Sequence, residues 1–211
     1  PPMRPYLNIV FKDEHLLVLN KPSGLLTVPG KALEHKDSLE LRVQRVYPTA
    51  KIVHRLDMAT SGLLVMALDK DTHRQLSKQF ELRQTRKTYI ARVYGEVSGE
   101  RGSVDVPLIC DWPNRPKQMV CQQRGKPSLT HWRVLERNDN STRMELTPVT
   151  GRSHQLRVHM LSLGHPILGD RLYAHSDALT MAQRLQLHAQ TLGFTHPVTE
   201  LPLELSAPVP F

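Results

Sequence analysis

The stretch His54-Arg55-Leu56-Asp57-Met58-Ala59-Thr60-Ser61-Gly62 runs directly into the apolar segment 63–68, Leu-Leu-Val-Met-Ala-Leu. A carboxylate in a polar loop that opens onto a buried strand sits on a rigid support, which suits chemistry. The same nine residues also read as a plain turn in which Asp57 bonds the backbone amide of Thr60 or Ser61. Outward from this point, further strand-like runs lie at 16–19, 89–94, 129–135, 144–146 and 185–192. Several alternate at period two, as Tyr89, Ala91 and Val93 do against Ile90, Arg92 and Tyr94. Alternation of this kind favours antiparallel pairing.

Three helices are expected between the strands. Ser38 is placed to cap one carrying Leu39, Val43 and Tyr47 on one face, with Pro48 as its stop. Asp71 is placed to cap another carrying the pair Leu76 and Phe80. Ser153 is placed to cap a third over 156–163, ended by Gly164 and Pro166, although Leu156, Val158 and Met160 also alternate as a strand would. The polar stretch 136–142 reads as a hairpin turn. Hairpin strands with scattered helices, and no regular strand-helix-strand repeat, give an α+β fold: a mixed, largely antiparallel central sheet with flanking helices and loops. No linker, repeat or charge block divides 1–211, so a single domain is expected.

The 211 residues are 39% hydrophobic and 23% charged, which excludes collagen-like, disordered and disulfide-scaffold chains. Twenty-eight Lys and Arg against 20 Asp and Glu leave a charge of +8, a field that favours a polyanion, RNA or DNA before membrane. No run approaches the ~18 apolar residues of a membrane span, and no signal-peptide pattern opens the chain, so a cytoplasmic location is expected. The opening Pro1-Pro2-Met3 suggests a trimmed or processed start. Cys110 and Cys121 fit neither a CxxC pair nor a zinc set and read as ordinary free thiols. Met58, Met66 and Met160 read as packing residues, and the histidines as phosphate contacts, core donors or surface groups.

Two more segments bear on function. Lys87 and Tyr89 share one strand face at period two; a Tyr ring can stack on a base, and Arg83, Arg86, Lys87 and Arg92 can meet phosphates. Thr150-Gly151-Arg152-Ser153-His154-Gln155-Leu156-Arg157 carries an arginine that, if buried, needs an anion, and Asp57 is the obvious candidate. Each segment alone has a bland reading, a half-buried strand with a solvated basic flank and an exposed basic helix.

Taken together, the segments carry a resemblance. His54-Arg55-Leu56-Asp57-x-x-Thr60-Ser61-Gly62 resembles the catalytic-aspartate motif of the RluA family of pseudouridine synthases. Asn20-Lys21-Pro22-Ser23-Gly24-Leu25 resembles the family's first motif, Lys87-Thr88-Tyr89 its lysine/tyrosine motif, and Gly151-Arg152-Ser153-His154-Gln155-Leu156-Arg157 its third. Four motifs in the family's order are far more specific than any one. Asp111-Trp112-Pro113-Asn114-Arg115-Pro116-Lys117-Gln118, by itself an exposed loop with two cations and a Trp, is similar to the RluA branch. The first motif begins at Asn20, so no S4 RNA-binding domain is expected before it.

The resemblance implies an isomerase that converts uridine to pseudouridine in 23S rRNA and the tRNA anticodon stem-loop, acting as a monomer, without metal, cofactor or membrane. It implies Asp57 as the essential carboxylate, leaving open attack on base or ribose or removal of a ribose proton. It further implies Arg157 as the ion-pair partner of Asp57, Tyr89 against the uracil, and Arg55 in the space of a flipped base. Arg83, Arg86, Lys87, Arg115 and Lys117 are then expected on the RNA face. The competing readings are weaker. A kinase would need a glycine-rich loop and Asp-Phe-Gly, both absent from this sequence. A metal nuclease drawing on Asp57, Asp69, Asp71 and Asp170 lacks paired-carboxylate or HxxxH spacing. A non-catalytic RNA-binding or ribosome-assembly factor with the same fold would be expected to lose Asp57, Tyr89 or Arg157, and all three are present.

Overall fold

The computed structural model describes residues 6–211. In chain order they form β1 (Ile9–Lys12), β2 (Leu16–Lys21), α1 (Leu39–Val46), β3 (Lys51–Ile52), β4 (Ser61–Ala67), α2 (Lys70–Glu81) and β5 (Arg86–Tyr94). There follow β6 (Arg101–Asp105), β7 (Leu108–Cys110), β8 (Gln118–Val120), β9 (Leu129–Asn138), β10 (Ser141–Pro148), α3 (Gln155–Ser162), α4 (Ser176–Thr180), β11 (Leu187–Thr195) and β12 (Pro202–Ser206). They divide into two compact units, one of the described residues through Lys87 with Ala189–Pro210, the other of Thr88–His188 with Phe211. Both boundaries fall inside strands, β5 and β11, and not in a linker.

In the first unit β2 pairs antiparallel with β1 and β4, β3 with β4, and β12 with β11. All seven residues of β4 are buried, which is why 63–68 reads as a continuous apolar run instead of alternating. Leu16, Val18, Leu63, Val65, Leu192 and Phe194 form the sheet side of the core, and Leu76 of α2 closes it. Gly62 has φ +122°, and a Cβ there would stand 2.3 Å from the Ala189 carbonyl oxygen, so the last residue of the aspartate motif must be glycine for β4 and β11 to meet.

In the second unit the strand order β5-β10-β9-β6 is antiparallel throughout. A separate hairpin, β7 with β8, pairs Leu108 with Val120 and Cys110 with Gln118. The turn expected at 136–142 narrows to Asp139-Asn140, with Asn140 at φ 63°.

The helices follow the expected segments with shifted ends. Ser38 caps α1, its hydroxyl accepting from the Leu41 amide at 3.2 Å. The cap of α2 is Asp69 and not Asp71: its carboxylate accepts from both the amide (2.8 Å) and the hydroxyl (2.9 Å) of Thr72. Asp71 falls in the first turn, where a carboxylate suits the helix dipole. The cap of α3 is His154, left-handed at φ 54°, and not Ser153. The side chain that serves this start is Gln155, whose Oε1 accepts from the Arg152 amide at 3.1 Å. Residues 155–160 of α3 are all buried, so the helix has no polar face, and that explains why its sequence also fits a strand. Cys110 and Cys121 are free thiols. Met66 and Met160 are fully buried, whereas Met58 is exposed. Among the described residues no helix is long and apolar enough to cross a membrane.

Candidate active site

Asp57 lies half-buried on the loop from β3 to β4, with Arg55 and Met58 exposed on either side. The backbone around Asp57 is held from the segment Lys21 to Thr27. Lys21 is fully buried, and its ammonium donates to the carbonyls of Pro22 (2.9 Å), Leu25 (2.6 Å) and Met58 (3.1 Å). The Ser23 hydroxyl donates to the Ala59 carbonyl at 2.7 Å, and the Gly24 amide to the Met58 carbonyl at 2.7 Å. Thr27 donates to the Leu56 carbonyl (2.8 Å) and accepts from the Leu56 amide (3.1 Å). Both neighbours of Asp57 are therefore fixed through backbone groups, which preorganises the loop that carries the carboxylate. The sequence assigns no role to Lys21 and Ser23; a lysine just after the apolar run 16–19 is the signal that points to one.

His54 opens the same loop and points inward. Its Nε2 accepts from the Val65 amide at 3.1 Å, and its ring stacks on Phe80 of α2 at 4.4 Å. Burial first, and then the charge of Lys87, push its pKa down to about 3, so the ring is neutral with its proton on Nδ1. Lys87 reaches over Phe80, 5.9 Å from the ring centre, and burial lowers its pKa. A histidine that must stay neutral contributes stability above its unfolded pKa of about 6.5 and loses it as pH falls from there towards 3. Going from pH 7 to pH 5 therefore costs the native state on the order of 2 kcal/mol through His54. His54→Gln, whose amide oxygen can accept the Val65 bond, is expected to flatten that part of the pH dependence of urea unfolding. Identical slopes in both proteins would contradict it.

In the second unit Tyr89 is half-buried on β5, opposite Leu146 of β10. Arg157, on α3, is 5% exposed and forms a two-point ion pair with Asp170, which is fully buried: Nε to Oδ2 at 2.9 Å and Nη2 to Oδ1 at 2.6 Å. Asp170 Oδ1 also accepts from the amides of Leu172 (3.0 Å) and Tyr173 (3.3 Å). Gly169, at φ +74°, lets the chain turn into Asp170 with its Cα face against the Arg184 carbonyl. Asp170, which pairs with Arg157, lies 13 residues on, past the helix stop, and is not among the anions that the sequence points to.

The rest of α3 is anchored by a buried polar chain. Gln155 Nε2 donates to the Leu129 carbonyl and to the Thr130 hydroxyl, both at 3.0 Å. Thr130 Oγ lies 2.8 Å from His159 Nδ1, and His159 Nε2 lies 3.0 Å from the Val106 carbonyl. A carbonyl only accepts, so Nε2 carries the proton and Nδ1 accepts from Thr130. Burial lowers the His159 pKa and keeps the ring neutral.

The expected RNA-facing cations fall in three places. Arg83 is exposed at the end of α2 with φ 56°, and Arg86 is exposed and paired with Glu204 at 3.1 Å. Lys87, as above, is half-buried beside Phe80. Arg115 and Lys117 share the tip of the β7-β8 hairpin, where the Arg115 guanidinium lies 4.0 Å from the centre of the Trp112 ring. Tyr173 ties that hairpin to the start of α3, its hydroxyl accepting from the Gln118 amide (2.9 Å) and lying 2.6 Å from His154 Nδ1. The carboxylates available to a nuclease are occupied elsewhere: Asp69 caps α2, Asp71 pairs with Arg74, and Asp170 holds Arg157.

Residues 15–162, which contain the clamped aspartate loop and Arg157, match the RNA pseudouridylate synthase family. The chain belongs to that family. It is 57% identical over its whole length to the dual-specificity RNA pseudouridine synthase RluA of Salmonella typhimurium, covering 97% of that protein. It is 53% identical to the protein of the same name from Vibrio vulnificus, over its whole length and 86% of that relative. Among solved structures, human RNA pseudouridylate synthase domain containing 1 superposes with a TM-score of 0.83 at 30% identity, covering 97% of this chain and 84% of that one. A second human member, domain containing 4, gives a TM-score of 0.77 at 29% identity. The chain is an RNA pseudouridine synthase, an isomerase, and its α+β fold with a largely antiparallel sheet is that of the pseudouridylate synthase domain.

Proposed function

We propose that the chain isomerises uridines in both 23S rRNA and the anticodon stem-loop of tRNA, with Asp57 as the reacting carboxylate. The reaction breaks the bond from ribose C1′ to uracil N1 and makes one from C1′ to C5. The C5 hydrogen leaves as a proton and N1 takes one up, so nothing is oxidised or transferred to another molecule. What the enzyme must supply is a fixed carboxylate and a pocket that keeps the detached base. The observation that carries the Asp57 assignment is the clamp on Leu56, Met58 and Ala59 from Lys21, Ser23, Gly24 and Thr27. A loop with only a turn to make has no need of a buried ammonium and two hydroxyls on its backbone.

In this reading Arg157, oriented by Asp170, serves as the cation of the reaction and Tyr89 lies against the uracil. A uridine in a stem-loop leaves the stack at a cost of a few kcal/mol, and Arg55 fills its place. Arg83, Arg86, Lys87, Arg115 and Lys117 engage the RNA, consistent with the +8 charge. The dual-specificity name of the relatives at 53% and 57% identity supports two RNA classes as substrates. The protein acts as a cytoplasmic monomer, where both RNAs are found. The test is to map pseudouridine in tRNA and 23S rRNA from cells with and without this gene. Loss of sites in both RNAs is expected; unchanged maps, or loss confined to one RNA, would overturn the dual assignment.

A further inference from the structure

The tip of the β7-β8 hairpin has a construction that phosphate binding alone does not require. Trp112 is 68% exposed, and one face of its ring is already covered by the Arg115 guanidinium at 4.0 Å. With that face occupied, so large an exposure belongs to the opposite face and the ring edge. A lone exposed apolar residue needs no explanation, but this one is held rigidly. The Asp111 amide donates to the Lys117 carbonyl (2.9 Å), the Asn114 amide to the Asp111 carbonyl (2.9 Å), and the Lys117 amide to the Asn114 carbonyl (3.0 Å). The Asn114 side-chain amide donates to Asp111 Oδ2 at 2.9 Å, and the Gln118 amide anchors the base of the tip on Tyr173. Residues 108–126 carry four cations, Arg115, Lys117, Arg124 and Lys126, against the single carboxylate of Asp111. That carboxylate is engaged within the tip.

We propose that the Trp112-Arg115 pair is a stacking platform for an unpaired nucleobase of the RNA, one other than the uridine being isomerised. The proposal rests on the pseudouridine synthase reading and names a specificity element of it. The guanidinium backs one face of the indole and a base covers the other, in the order guanidinium, indole, base. Lys117, Arg124 and Lys126 lie on the same hairpin and its following turn, where they meet the phosphates on either side of that base. The rigid tip has little entropy left to lose on binding, so the stack is available as affinity. A platform reads the presence of an unstacked base and not its identity, which suits an enzyme with more than one RNA substrate.

The two tryptophans are Trp112 and Trp132, and Trp132 is buried, so RNA can reach the emission of Trp112 alone. The purified full chain is titrated with an unmodified tRNA anticodon stem-loop and with a blunt duplex of the same stem. The stem-loop is expected to quench the emission and the duplex to leave it unchanged. Trp112→Phe abolishes the quench while keeping affinity close to the wild type. Trp112→Ala weakens binding by roughly 10- to 100-fold, and the loss appears in KM. Equal quenching by the duplex, or wild-type affinity in Trp112→Ala, overturns the platform. Failure of the wider reading looks different: a wild-type protein that binds and quenches but forms no pseudouridine defeats the assigned activity and leaves the platform standing. A protein that isomerises the stem-loop with unaltered emission defeats the platform alone.

Discussion

Asp57→Asn is expected to lower pseudouridine formation by at least roughly 10⁴-fold while leaving RNA affinity within a few-fold of the wild type. Asn preserves the volume and shape of the side chain and removes only its charge and basicity. The groups that hold the loop act on the carbonyls of Leu56, Met58 and Ala59 and on the Leu56 amide, none of which the substitution touches. The variant therefore keeps the fold and the loop conformation, and thermal unfolding within a degree or two of the wild type would verify it. Loss of activity together with loss of folding would assign Asp57 a structural task instead. RNA binding is the second control, because the cations assigned to it are other residues.

Asp170→Ala is expected to destabilise the protein by about 3–5 kcal/mol, a drop in Tm of roughly 6–20 °C for a chain of this size. Removing the carboxylate takes away the two-point partner of the Arg157 guanidinium in a site where the two side chains are 5% and 0% exposed. It also leaves the amides of Leu172 and Tyr173 without their acceptor. The surface pair Arg86-Glu204 supplies the contrast. Both its side chains are well exposed, and Glu204→Gln is expected to change stability by no more than about 1 kcal/mol. Equal effects of the two substitutions would show that Asp170 does not hold Arg157.

The contrast between these two ion pairs also shows what the sequence could reveal. Burial was legible wherever apolar residues announced it: β2, β4, β5, β9, β10 and β11 all fall on runs that read as strands. The strands that escaped notice, β1, β3, β6, β7, β8 and β12, are short or carry exposed residues along much of their length. Their pairing is decided by the backbone of a neighbour and leaves little pattern in the side chains. The cap of α2 was misplaced by two residues because Asp69 and Asp71 are equally good caps in isolation, and the two bonds that Thr72 donates to Asp69 break the tie.

The proposed site is visible in the sequence as motifs, not as mechanics. Asp57, Tyr89 and Arg157 stand out by residue type and order. That Lys21 holds the loop of Asp57, 37 residues away from it at Met58, or that Asp170 orients Arg157, depends on where the chain returns, and sequence separation hides it. The division into two compact units was hidden for a related reason. Its boundaries lie within β5 and β11, where strand residues continue without any glycine- or serine-rich interruption.

The most direct test of Asp57 as the reacting carboxylate is tritium release from an anticodon stem-loop labelled at uridine C5, followed in a single turnover with enzyme in excess. Wild-type protein is expected to release one tritium for each pseudouridine formed, and Asp57→Asn to bind the same RNA and release none above background. Release by Asp57→Asn at the wild-type rate, or none from the folded wild-type protein with its bound RNA, would contradict the account.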